Sequence, residues 1–200
     1  MRHLPVVLVY SRLVIGGLLV VLSGVRVGHF VEWAVGLLTL GVLTDVFDGI
    51  VARRLGVSTE KLRRLDSTVD QAFWAMVLLA TYLACPGFFA QHAAQLWVLL
   101  ALEGLTYAVS FGKFGKEIAT HSWGAKAWVL VSFAALVQVL TTCDSQLLFT
   151  ASFALGIASR LEIVAILLLL RKWTNDVPTA YHAWLLRQNK PIKRHKLLNG

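Results

Sequence analysis

The chain has 200 residues, 57% of them hydrophobic and only 15% charged, and its 19 Lys and Arg against 11 Asp and Glu give a formal charge of +8. Composition excludes a water-soluble domain, which needs more surface charge, a disordered chain, and a disulfide-rich module, which needs more than two cysteines. It points to an all-α integral membrane protein, with the basic excess meeting anionic lipid headgroups and no role in nucleic-acid binding.

Six apolar stretches predict six transmembrane helices, each near the ~20 residues that span hydrocarbon. They cover Arg12–Leu22, His29–Asp48, Ser67–Cys85, Ala93–Phe111, Ala125–Thr141 and Leu148–Leu170. The first extends back through apolar Leu4–Tyr10. Arg2 and His3 precede it, as in a signal peptide, but it runs into Ser23-Gly24-Val25-Arg26 without a small-residue cleavage site. It is therefore read as a retained first helix. Residues 1–172 form the membrane domain and 173–200 a basic cytoplasmic tail. The short loops leave no room for a separate soluble domain, and no internal repeat is visible.

Charge sets the expected orientation. Arg53, Arg54, Lys61, Arg63 and Arg64 lie between helices two and three, Lys113 and Lys116 follow helix four, and Arg171 and Lys172 follow helix six. Arg187, Lys190, Lys193, Arg194 and Lys196 are in the tail. The opposite loops carry little beyond Arg26 and Asp144. The positive-inside rule then places both termini in the cytoplasm. Trp33, Trp97, Trp128 and Trp173 fall near predicted helix ends, as interfacial tryptophans do. From Pro178 to Arg187 the tail reads either as a short helix lying in the interface or as a solvated segment. Cys85 and Cys143 both fall on the outer side, an oxidising compartment in many bacteria. They pair only if their Cα atoms lie within about 7 Å, and otherwise remain two thiols.

The stretch from Thr44 to Asp70 carries the chemistry. Asp45 and Asp48 are three residues apart, and Asp66 and Asp70 four apart, so each pair shares a helix face. Helices two and three are expected to be antiparallel neighbours joined by the basic segment, which brings four carboxylates to one cytoplasm-facing site. Carboxylates at membrane depth mark function. Four together need neutralising, and hard divalent cations with oxygen ligands, Mg²⁺ or Mn²⁺, suit the set. Gly49 and Ala52 leave space beside the acids, and Arg53 suits bidentate pairing with a diphosphate. The bland readings are an ion-pair network of Asp45 and Asp48 with the loop arginines, and helix-start charges for Asp66 and Asp70.

The stretch resembles the signature of the CDP-alcohol phosphatidyltransferases. Asp45, Asp48-Gly49, Ala52-Arg53, Asp66 and Asp70 stand at matching spacing. Leu62 replaces the glycine expected four residues before the third aspartate. Pro5 and Arg12 match a further family spacing on an N-terminal interfacial helix, with Val6 at the asparagine position. The resemblance implies a metal-dependent transfer of a phosphatidyl or similar group from a CDP-linked lipid donor, commonly CDP-diacylglycerol, to a small alcohol, with release of CMP. It implies Asp45, Asp48 and Asp66 as principal metal ligands, joined by Asp70, and two ions on the diphosphate. It assigns Asp70 as general base for the acceptor hydroxyl, and Gly49, Ala52 and Arg53 to the cytidine and phosphate site. It also implies a homodimer, and the expected location is a bacterial inner membrane with the active site facing the cytoplasm.

The acceptor is less legible. Arg160 and Glu162 interrupt an apolar helix. Arg160, supported by Lys116 and Lys126, is expected to hold a phosphate on the acceptor, glycerol 3-phosphate being the first to try. The rival reading pairs Arg160 with Glu103 or Glu162. Lys113 and His121 stand nearby in sequence, His121 reading more readily as a surface residue. Two other functions compete. A small transporter also gathers acids, although here they cluster at one end and paired broken helices are missing. A catalytically inactive relative is the reading that Leu62 keeps open.

Overall fold

The computed structural model describes residues 4–25, 28–57, 59–116, 118 and 122–192, excepting the side chains of Glu60 and Arg63. All regular structure among them is helical: α1 (Leu4–Val25), α2 (Phe30–Arg54), α3 (Glu60–Ala84), α4 (Pro86–Gln91), α5 (Ala93–Phe114), α6 (Trp123–Thr142), α7 (Gln146–Leu169) and α8 (Ala180–Arg187). Five of these, α1, α2, α5, α6 and α7, are long and apolar enough to cross a membrane, which supports an integral-membrane location. The expected sixth span is helical but does not reach that apolarity. Its first half carries Lys61, Arg64, Asp66, Asp70 and Gln71, so the acid-bearing turns lower the hydropathy of α3. Leu4–Tyr10 extends the first apolar stretch, as expected, into one continuous α1.

The helix ends follow local chemistry. Thr59 caps α3, its hydroxyl accepting from the Leu62 N–H at 3.2 Å. Leu62 therefore stands in a helical first turn, where a leucine meets no backbone penalty. Pro86 opens α4, where its missing N–H costs nothing. Gly115 ends α5 at φ +61°, a conformation that glycine adopts without Cβ strain.

Two compact units divide the chain. The first comprises Met1–Ala90 with Val137–Asp144, the second Gln91–Leu136 with Ser145–Gly200. In the first unit α1 packs extensively along both α2 and α3, while α2 and α3 touch each other only slightly. The expected direct pairing of helices two and three is thus replaced by an arrangement in which both rest on α1. The reason lies in three seams of helical period. Val9, Arg12, Gly16, Leu19 and Ser23 are buried along α1, and Ala34, Leu38, Gly41, Asp48 and Ala52 along α2. On α3 the buried Val69, Phe73, Val77 and Ala80 form the third. Small residues bring the backbones close. A Cβ at Gly16 would come within 2.6 Å of the Met76 side chain, and one at Gly41 would overlap the Phe73 ring. Cys85 and Cys143, with Cα atoms 5.3 Å apart, form a disulfide within this unit.

In the second unit α5 packs on α7, and α8 packs on α7. The tail forms the helix, not the solvated segment. Thr179 caps it, and Ala183 is fully buried with Ile166, Leu170 and Val177. The last carbonyls of α7 are satisfied by side chains: Lys113 Nζ donates to Leu167 at 2.9 Å and to Leu168 at 2.7 Å. Trp33 and Trp97 are well exposed, as interfacial residues would be. Trp128 and Trp173 instead lie beneath cations, Arg160 and Lys116.

Candidate active site

The acids sit on the α2 and α3 seams, facing α1. Asp45 and Asp48 continue the buried α2 stripe, and α2 runs six residues beyond Asp48, to Arg54. Asp66 and Asp70 precede Phe73 and Val77 by the same helical period on α3. Each of the four acids reaches Arg12, which projects from α1. Arg12 Nη1 donates to Asp45 at 2.7 Å and also pairs with Asp70. Its Nη2 donates to Asp48 at 2.5 Å and to Asp66. Arg12 is completely buried and Asp48 nearly so, whereas Asp45 is 43% exposed, so the cluster is closed at its base and open on one side. Four carboxyl groups thus share one guanidinium.

Part of the bland alternative is thereby realised with a different partner. The acids do join an ion-pair network, but the cation is Arg12 and not a loop arginine. In the sequence Arg12 stands out only through its spacing from Pro5. The signal available was an arginine inside an otherwise apolar helix, the same argument that singled out Arg160.

The donor set suits a hard divalent ion. Asp45, Asp48 and Asp66 each offer an oxygen within 4.8 Å of the others. That span is close to the ~4.2 Å between opposite oxygens of a Mg²⁺ ion bound at about 2.1 Å. No soft ligand belongs to the group, which disfavours zinc or copper. Asp70 joins through Arg12. Beside the acids, Arg53 folds back over Gly49, where a Cβ would meet its Nη1 at 3.3 Å. Ala52 is buried, and Arg53 Nε is buried without an acceptor among the described residues. The glycine thus makes room for the arginine of its own helix.

The residues expected to bind an acceptor fall in the second unit. Arg160 Nε donates to Glu103 Oε2, the rival partner foreseen from sequence, and Nη1 lies 3.3 Å from Ser159 Oγ. The guanidinium stacks over Trp128 at 4.1 Å. Glu162 instead faces Gly124 of α6. Lys116 and Lys126 lie over Trp173 and Trp123, at 4.7 and 5.3 Å. His121, Arg26, Lys193, Arg194 and Lys196 lie outside the described residues, as does the Arg63 side chain.

A family model described as CDP-alcohol phosphatidyltransferase matches residues 2–185. No curated protein and no solved structure matches the chain significantly. The family match and the acid cluster together support a CDP-alcohol phosphotransferase-type activity at the level of the family.

Proposed function

The chain belongs to the CDP-alcohol phosphatidyltransferase family, and from that premise we propose that it transfers a phosphatidyl group from CDP-diacylglycerol, or a similar CDP-linked lipid, to an alcohol acceptor. The observation that carries this reading is the gathering of Asp45, Asp48, Asp66 and Asp70 around one point. A lipid donor needs its diphosphate at the interface and its tails in the bilayer, and acids on membrane helices with one exposed side suit that demand.

Asp45, Asp48 and Asp66 would hold Mg²⁺ or Mn²⁺, with Asp70 sharing. Ions held there, two in this reading, would supply positive charge against the diphosphate and the departing CMP. Asp70 accepts the proton of the acceptor hydroxyl as its oxygen forms a bond to the lipid-bearing phosphorus. The bond from that phosphorus to the CMP oxygen breaks, and CMP leaves. Gly49, Ala52 and Arg53 border the cytidine and phosphate, Arg53 as a bidentate donor.

The acceptor in this reading is phosphorylated, glycerol 3-phosphate first among candidates, with Lys116, Lys126 and Arg160 as its anion-binding set. The positive-inside pattern supports a cytoplasm-facing site with both termini on that side. The Cys85–Cys143 bond supports an oxidising compartment opposite, as across a bacterial inner membrane. A homodimer is part of the proposal and is checked by crosslinking in the membrane.

The test is CMP release by purified protein given CDP-diacylglycerol, Mn²⁺ and a panel of glycerol 3-phosphate, serine, inositol, inositol phosphate and phosphatidylglycerol. Metal-dependent CMP release with glycerol 3-phosphate is expected. A folded, Mn²⁺-binding protein that releases no CMP with any acceptor overturns the activity. Turnover of serine or inositol alone overturns the phosphorylated acceptor.

A further inference from the structure

We propose that Arg12 is the positioning residue of the carboxylate cluster: a built-in monovalent cation that gathers the acids of α2 and α3 on α1 and, by competing for the same carboxylates, sets the affinity of the site for divalent metal. The inference rests on the reading of the acids as a metal site.

Three observations carry it. First, α2 and α3 rest on α1 and barely touch each other, so their acids meet through what α1 presents. Among the described residues Arg12 is the group that reaches all four. Second, Arg12 occupies the α1 seam between Val9 and Gly16, wholly buried in an apolar helix. A guanidinium there is tolerable only with counter-charge, and four acids that close together are tolerable only with a cation, so each side requires the other. Third, its two Nη groups serve the acids while Nε finds no acceptor among the described residues. The hydrogen bonds of the fork among the described residues thus all go to the carboxylates.

The three acids that offer oxygens to a cation, Asp45, Asp48 and Asp66, are all held by Arg12. A divalent ion must draw on carboxylates already engaged by a positive charge, which weakens its binding. The same charge keeps the ligands assembled. Lysine cannot replace it fully, since one ammonium on a flexible stem lacks the planar fork that spans four acids.

The experiment titrates Mn²⁺ into the full chain in detergent without nucleotide, following free Mn²⁺ by EPR and thermal stability in parallel, for wild type, Arg12→Gln and Arg12→Lys. Arg12→Gln is expected to bind Mn²⁺ at least about 10-fold more tightly, because a repelling charge is removed from the site. Its metal-free Tm is expected to fall, and Mn²⁺ to raise that Tm by more than it raises the wild-type value. Arg12→Lys is expected to keep near wild-type Mn²⁺ affinity and to lose metal-free Tm. Equal or weaker Mn²⁺ binding by Arg12→Gln, or an unchanged metal-free Tm, overturns the proposal. If Arg12→Gln unfolds on metal-free extraction, extraction in Mn²⁺ is expected to recover it, and failure to do so also overturns the proposal. Wild type that binds Mn²⁺ but releases no CMP refutes the proposed activity and leaves the role of Arg12 standing.

Discussion

Replacing Arg160 by Gln separates two roles for this residue when Glu103→Gln is made beside it. Arg160 is 11% exposed and Glu103 36%, so the pair is partly dry. Two unit charges about 4 Å apart at an effective dielectric constant near 20 attract by ~4 kcal/mol. Desolvation offsets much of that, and the exposed third of Glu103 is screened, leaving a truncation cost of about 1–2 kcal/mol. Loss of the stack on Trp128 adds roughly 0.5–1 kcal/mol for the arginine alone. Both variants should therefore lower the Tm, Arg160→Gln slightly more. The double mutant should show a coupling of about 1 kcal/mol. The acceptor role predicts a further, unshared effect. A charge-assisted contact worth about 1.5–3 kcal/mol makes the acceptor KM rise ~10- to 100-fold in Arg160→Gln, with donor KM little changed. Glu103→Gln should not show that rise. The assay is CMP release with glycerol 3-phosphate varied at saturating donor, alongside thermal unfolding in detergent. An acceptor KM that moves equally in both variants refutes the acceptor role and leaves Arg160 as the partner of Glu103.

Asp70→Asn is expected to lower turnover by about 10²- to 10⁴-fold while sparing CDP-donor binding, whereas Asp45→Asn should weaken metal-supported donor binding, both measured by donor affinity and single-turnover CMP release. Near-normal turnover by Asp70→Asn under chemistry-limited conditions would show that another group takes the proton. Alkylation of unreduced, denatured protein should modify neither cysteine. Reduction should cost about 4 kcal/mol by the chain-entropy account for a separation of 58 residues, read as a drop in Tm. Lys113→Met should lower stability by about 1 kcal/mol, since the carbonyls of Leu167 and Leu168 lose their donor, and should leave both substrate KM values in place.

What the sequence determined by itself is what short-range periodicity encodes. Apolar runs of spanning length, the spacings of Asp45 with Asp48 and of Asp66 with Asp70, and the register of the motif all follow from a 3.6-residue period along single helices. Hydropathy was less reliable where the chemistry sits: α3 is a helix as expected, yet its acids pull it below the apolarity of the other five long helices. Partners across the fold required the tertiary structure. Arg12 lies 33 to 54 residues from Asp45, Asp48 and Asp66, and nothing local to any of them shows that α1 is the helix on which α2 and α3 both rest. The choice of Glu103 for Arg160, the meeting of Cys85 with Cys143 and the docking of α8 on α7 were likewise open in the sequence. Each depends on which helix faces meet. In a low-dielectric interior a buried charge pairs with whatever opposite charge packing brings within reach, and packing is a property of the assembled helices and not of any one segment.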